Sequence, residues 1–172
     1  METGPSIRPV GLSDLAGLLA LYAELNPADP PLDEALAIQR LDDILACPGM
    51  SILAAFEDDA LVSTCTLVVI PNLTRGGAPY ALIENVVTRS DQRRRGTGKA
   101  LLRHAVAQAF AQGCYKVMLL TGKKDPATHA FYAACGFRQD KTGYQVRNDA
   151  VISKRRDRID PEEEQVPEKG EA

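Results

Sequence analysis

The apolar positions change period several times along the chain. Residues 7–10 read as a short first strand. Leu15, Leu18, Leu19, Tyr22 and Leu25 then recur at three- and four-residue intervals, the spacing of one helical face, with Ser13 or Asp14 as the expected cap. The run Asn26-Pro27-Ala28-Asp29-Pro30-Pro31 breaks that helix. A second helix carries Leu36, Leu41, Ile44 and Leu45 and stops at Cys47-Pro48-Gly49. Residues 51–56 and 61–70 read as two strands around an acidic turn, Glu57-Asp58-Asp59. A loop over 71–77 leads to a strand over 80–88, which holds Glu84 and Asn85 inside an apolar run. After a basic, glycine-bearing turn, Leu102, Ala105, Val106, Ala109 and Phe110 form one helical face, and Gly113 suits the stop. A buried strand over 115–121, a short helix over 127–135 halted by Gly136, and two short strands over 137–138 and 144–147 complete the pattern. The predicted class is α/β, in the sense of an α+β arrangement on a mixed sheet.

Composition narrows the function classes. The chain has 172 residues, 45% hydrophobic and 25% charged, which suits one soluble domain with its own core. A net charge of -3 argues against generic nucleic-acid binding, which rests on many Lys and Arg contacts to phosphates. The four cysteines form no CxxC pair and only two histidines are present, so no metal site is expected. The N-terminus has no secretory pattern and no apolar run is long enough to span a bilayer. The expectation is a cytoplasmic protein with reduced thiols. Residues 149–172 pass from a basic cluster, Lys154-Arg155-Arg156-Asp157-Arg158, to a run of acids. They are expected to be a mostly disordered tail on a 1–148 domain.

Candidate chemistry sits in the strand, turn and helix over 83–113. A helix N-terminus presents unpaired N–H groups and the positive end of the dipole. Gly96 and Gly98 are expected to clear the backbone for a ligand, and Arg93, Arg94, Arg95 and Lys99 add positive charge. Together they describe a phosphate or pyrophosphate site. A P-loop is excluded because Arg93 holds its first glycine position and Ala100 its hydroxyl position. A Rossmann fingerprint is excluded because Leu101 stands at its third glycine.

Arg93-Arg94-Arg95-Gly96-Thr97-Gly98 does fit [Q/R]xxGx[G/A], with Ile83-Glu84-Asn85-Val86-Val87 before it and Phe131-Tyr132-Ala133-Ala134-Cys135-Gly136-Phe137, an FYxxxGF element, after it. In these three elements the chain resembles the GNAT superfamily of acetyl-CoA-dependent N-acetyltransferases. The resemblance implies a central, mostly antiparallel twisted sheet whose middle strands splay, flanked by helices. It implies that Val86, Val87 and Thr88 offer backbone hydrogen bonds to pantetheine, and that the N–H groups from Arg94 through Arg95, Gly96 and Thr97 to Gly98 and Lys99 hold the pyrophosphate. Asp125 stands where many members have an asparagine facing the cofactor. The implied reaction is direct acyl transfer from acetyl-CoA to a primary amine in a ternary complex. Glu84 is the candidate base, with a purely structural acid as the other reading of that position. Tyr132 is the candidate acid for the leaving thiolate, or a packing ring. A main-chain N–H near Val86 is expected to meet the oxyanion.

The acceptor stays open at this stage. The first two helices and the 71–80 loop are expected to line its pocket, and a small-molecule amine is the leading class. The central strand and Cys114-Tyr115-Lys116 are similar to glucosamine-6-phosphate N-acetyltransferases, although Arg75 is the single cation nameable for a phosphate. A non-catalytic acyl-CoA-binding regulatory module and a nucleotide-binding module are the rival classes. A homodimer through exposed strand edges is a further expectation.

Overall fold

The structure, a computed structural model, describes residues 4–148. The expected tail over 149–172, and with it the domain boundary, lies outside the described residues. Five strands form one sheet in chain order: β1 (Ser6–Pro9), β2 (Met50–Glu57), β3 (Ala60–Ile70), β4 (Tyr80–Thr88) and β5 (Val117–Leu119). Strands β1 to β4 pair antiparallel. β5 lies parallel to β4 and is reached through helix α3 (Thr97–Ala111), since parallel neighbours need a crossover. Helices α1 (Leu15–Leu25), α2 (Glu34–Leu45) and α4 (Pro126–Ala134) complete the fold. No helix among the described residues is long and apolar enough to cross a membrane.

Alternation along the strands sorts the core onto two faces. Leu53, Cys65, Leu67, Ala81 and Ile83 pack against Leu101, Leu102, Ala105 and Ala109 of α3. Ile52, Ala54, Phe56 and Leu61 pack against Leu18, Leu21 and Leu41 of α1 and α2. Phe110, expected on the apolar face of α3, is 54% exposed, because the buried stripe of that helix ends at Ala109. Asp14 does not cap α1. Its carboxylate accepts the Gly11 N–H at 2.8 Å and pairs with Arg8 at 2.7 Å, and a single helical turn over Leu12–Asp14 leads into the helix.

One irregularity shapes the middle of the sheet. Thr64 pairs with Val87, yet Thr66 pairs with Glu84. Cys65 thus faces two residues of β4, Asn85 and Val86, which is a β-bulge. Asn85 takes φ +52°, the left-handed region that Asn enters more readily than most residues. The extra residue inverts the side-chain alternation. Ala81 and Ile83 point to the α3 face, and beyond the bulge it is Val86 that joins them while Val87 turns to the α1 face.

The C-terminal third departs from the sequence pattern. The strand expected over 115–121 narrows to Val117–Leu119, whose ladder with β4 holds the pairs Ala81↔Val117, Leu82↔Met118 and Ile83↔Leu119. The strands expected over 137–138 and 144–147 do not form. Tyr144 and Val146 are 93% and 97% exposed there, since β5 is too short to template a further ladder.

Candidate active site

β4 has a strand partner on its β5 side only as far as Ile83. From Glu84 to Thr88 that edge has no strand partner among the described residues. Val87 O already accepts from Ser63 Oγ and Thr88 O from Arg93 Nε, and the remaining backbone groups of the edge are open to an extended ligand. Beyond the strand, Ser90–Gln92 forms one helical turn and α3 begins at Thr97 behind Gly96, which adopts φ +88°. No side chain caps α3, and its first internal bond is Ala100 N–H to Gly96 O at 2.9 Å. The N–H groups of Thr97, Gly98 and Lys99 are therefore left outside the helical ladder, at the positive end of the dipole. Arg94, with φ +65°, and Arg95 stand exposed in the same turn.

The two glycines of the turn serve different purposes. Gly96 supplies the left-handed backbone, with open space where a Cβ would be. Gly98 is buried, and a Cβ there would meet the Thr88 hydroxyl at 2.8 Å and Phe131 Cζ at 3.5 Å. Its missing side chain lets α3 approach Thr88 of β4 and Phe131 of α4. Thr88 is itself held, 2.8 Å from the Ser63 hydroxyl, while Ser63 donates to Val87 O at 2.9 Å. Thr97 is expected to act through its N–H, and its side chain is engaged elsewhere. The residue is 3% exposed and its hydroxyl donates to Glu57 Oε1 at 3.1 Å, which leaves its N–H as the group outside the helical ladder.

Glu84 opens onto a cleft of about 250 Å³ formed with Leu120, Gly122, Gly143, Tyr144, Gln145 and Arg147. Tyr132 lies on α4, its ring 5.2 Å from Phe131 and 6.2 Å from Phe137, centroid to centroid. Burial raises the Tyr132 phenol above its usual range, and the charges of Cys135 and Glu84 push the same way. The phenol thus keeps its proton across neutral pH. The structure brings Glu84 and Tyr132 near enough for one to feel the charge of the other. Asp125 instead caps α4: its carboxylate accepts the Thr128 N–H and hydroxyl, both at 2.8 Å, and these bonds hold its pKa below the usual carboxylate range. Both of its oxygens are engaged within its own helix.

At the other end of β4, Tyr80 and Tyr115 meet edge to face at 6.5 Å. Lys116 Nζ lies 5.1 Å from the Tyr80 ring and 5.5 Å from the Tyr115 ring, and the Arg75 guanidinium lies 6.0 Å from Tyr115. Lys116 is a second cation near the Tyr115 ring, which Arg75 approaches as well, and the sequence does not connect the two because they are distant along the chain. Asn85 and Ser63 also went unassigned. The polar pair in an apolar strand was the available signal for Asn85, and Ser63 carried none.

Among the described residues, no group of three or more His, Cys, Asp or Glu side chains is placed to hold a metal ion.

An open strand edge thus runs into an uncapped helix start, with the acid Glu84 on that strand. The acetyltransferase (GNAT) family pattern matches residues 18–137, and the chain belongs to that family. It is 33% identical over 135 residues to glucosamine 6-phosphate N-acetyltransferase 1 of Oryza sativa subsp. japonica, covering 76% of this chain and 79% of that protein. It is 31% identical over 134 residues to glucosamine 6-phosphate N-acetyltransferase of Trypanosoma brucei brucei, covering 77% and 88%. Among solved structures, a putative acetyltransferase from Agrobacterium tumefaciens str. C58 superposes with a TM-score of 0.81 at 53% identity, over 83% of this chain and 99% of that one. The mixed sheet with flanking helices is the fold of these acetyltransferases, and the protein is an acyltransferase enzyme.

Proposed function

We propose that the protein transfers an acetyl group from acetyl-CoA to the amine of a small phosphorylated amino sugar. The observation that carries the cofactor reading is the unpaired β4 edge from Glu84 to Thr88 leading into the uncapped α3 N-terminus. Backbone groups of Val86, Val87 and Thr88 suit an amide-bearing arm such as pantetheine, and the N–H groups around Gly96, Gly98 and Lys99, with Arg94 and Arg95, suit its diphosphate.

In this reading Glu84 takes a proton from the acceptor ammonium, directly or through water, and frees the amine to attack the thioester carbonyl. A main-chain N–H beside the Asn85 bulge stabilises the oxyanion of the tetrahedral intermediate. As the carbon–sulfur bond breaks, Tyr132 gives its proton to the departing thiolate, which leaves as the free thiol of CoA. The second proton shed by the nitrogen as the amide forms restores the phenol, and Glu84 releases its own to solvent. The acceptor class rests on the named relatives and on Lys116 and Arg75, which both lie within about 6 Å of the Tyr115 ring. Two cations suit a phosphate better than one. Tyr80 stands four residues before Glu84, about 13 Å along the strand, and long Lys and Arg side chains reach across part of that span.

The test is CoA-thiol release from acetyl-CoA with glucosamine 6-phosphate, glucosamine, a polyamine and an aminoglycoside as acceptors. Glucosamine 6-phosphate is expected to give the highest kcat/KM, and glucosamine without its phosphate a far lower one. Thiol release with the polyamine alone would remove the sugar-phosphate reading. A well-folded protein with no affinity for acetyl-CoA would remove the cofactor reading as well.

A further inference from the structure

The turn that would take the diphosphate is gripped from behind by two carboxylates distant in sequence. Glu24, in the last turn of α1, accepts the Ser90 N–H at 2.9 Å, and its Oε2 lies 3.8 Å from Arg93 Nη2. Arg93 is fixed a second time, where its Nε donates to Thr88 O at 3.0 Å. At the far end of the turn, Glu57 from β2 accepts the hydroxyl of the buried Thr97. A turn meant for an anion gains nothing electrostatically from nearby acids. Two of them here therefore call for another role, and the geometry supplies it: each holds a group whose position decides where the free N–H groups stand.

We infer that Glu24 is a positioning residue for the diphosphate turn, with Glu57 as its counterpart at the start of α3. This inference rests on the acetyl-CoA reading and deepens it. Glu24 fixes the Ser90 amide and places a negative charge 3.8 Å from the Arg93 guanidinium before any ligand arrives, so less ordering remains to be done on binding. Because Glu24 belongs to α1, the same bond ties the diphosphate turn to the helix that covers the opposite face of the sheet. Without it Ser90 N–H loses its partner, Arg93 loses the nearby carboxylate charge, and the turn must be ordered by the ligand itself.

The experiment compares wild type, Glu24→Ala, Glu24→Gln and Glu57→Gln by calorimetric titration with acetyl-CoA. It adds steady-state KM and kcat with glucosamine 6-phosphate wherever turnover is measurable, and the melting temperature of each variant. Glu24→Ala is expected to weaken acetyl-CoA binding about tenfold, the equivalent of one organising hydrogen bond. Its KM for acetyl-CoA should rise while kcat stays within about twofold. Glu24→Gln keeps an acceptor for Ser90 N–H and is expected to recover most of the affinity. Glu24→Ala with unaltered affinity, or Glu24→Gln as weak as Glu24→Ala at equal melting temperature, overturns the inference and leaves the cofactor reading standing. Failure of the wild type itself to bind acetyl-CoA overturns both.

Discussion

Glu84 and Tyr132 divide one proton problem between them. Amine attack needs a proton removed on the acceptor side, and thiolate departure needs one delivered. Glu84 borders a cleft that admits an acceptor, whereas Tyr132 sits among Phe131 and Phe137 with its phenol kept neutral by burial. Glu84→Gln is expected to lower kcat about a hundredfold, the lower end of what positioned acid–base groups contribute, with acetyl-CoA affinity unaltered. Tyr132→Phe should cost less, because water can protonate a thiolate more readily than it can strip an ammonium. Stopped-flow thiol release across pH 6 to 9 separates the two variants, and wild-type turnover in both would remove these roles. Gly98 is the other residue whose identity decides an outcome. An added methyl would push into the Thr88 hydroxyl, which is already held by Ser63. Gly98→Ala is therefore expected to destabilise by about 1–3 kcal/mol, as overpacking does, and to weaken acetyl-CoA binding by displacing Thr88. Urea midpoints and the same titration read both effects.

At the scale of elements, the bulge in β4 carries the most information. Substituting Asn85 by Val forces a β-branched residue into the left-handed region and is expected to cost roughly 1–2 kcal/mol. Asn85→Gly should be nearly neutral in stability, and denaturant melts compare the two directly. The bulge also explains what was legible in the sequence and what was not. Glu84 and Asn85 stand out as polar residues in an apolar run, and that oddity led to the site. The change of alternation that turns Val87 to the α1 face depends on how β3 pairs with β4, which no local pattern records. The helices were legible because each carries an apolar face of helical period, and the glycine turn because its residues are unusual in themselves. The link from Glu24 to Ser90 and the placing of Lys116 and Arg75 around the Tyr115 ring were not, because they join segments only the folded chain brings together. The strands expected over 137–138 and 144–147 failed for the converse reason. Local alternation there has no ladder to join.

The molecule as a whole keeps protons on groups that would release them when unfolded. Burial raises the Cys65 thiol from 9.0 to about 12, and it raises Cys114, Cys135, Tyr22 and Tyr132 in the same direction. In each case the unfolded chain loses its proton first as the pH rises. The stability linked to these groups is fully present below their unfolded pKa values, from pH 9 for the thiols and 10 for the phenols. It is lost as pH climbs through the folded values. Cys65 alone accounts for about 2 kcal/mol between pH 7 and pH 10.5. Urea midpoints at the two pH values should therefore fall markedly for wild type and by less for Cys65→Ala. An equal fall in both would assign the alkaline loss to other groups.

The seam between β4 and β5 is three residue pairs long, and among the described residues no strand continues it beyond Ile83 and Leu119. Amide deuteration should therefore be uneven across the sheet. Val117 to Leu119 should exchange quickly in the empty protein, far ahead of the interior of β2 and β3, since short ladders open at little cost in free energy. Filling the gap with acetyl-CoA should slow them more than any other backbone stretch, as the bound arm becomes the mortar that the two strands lack.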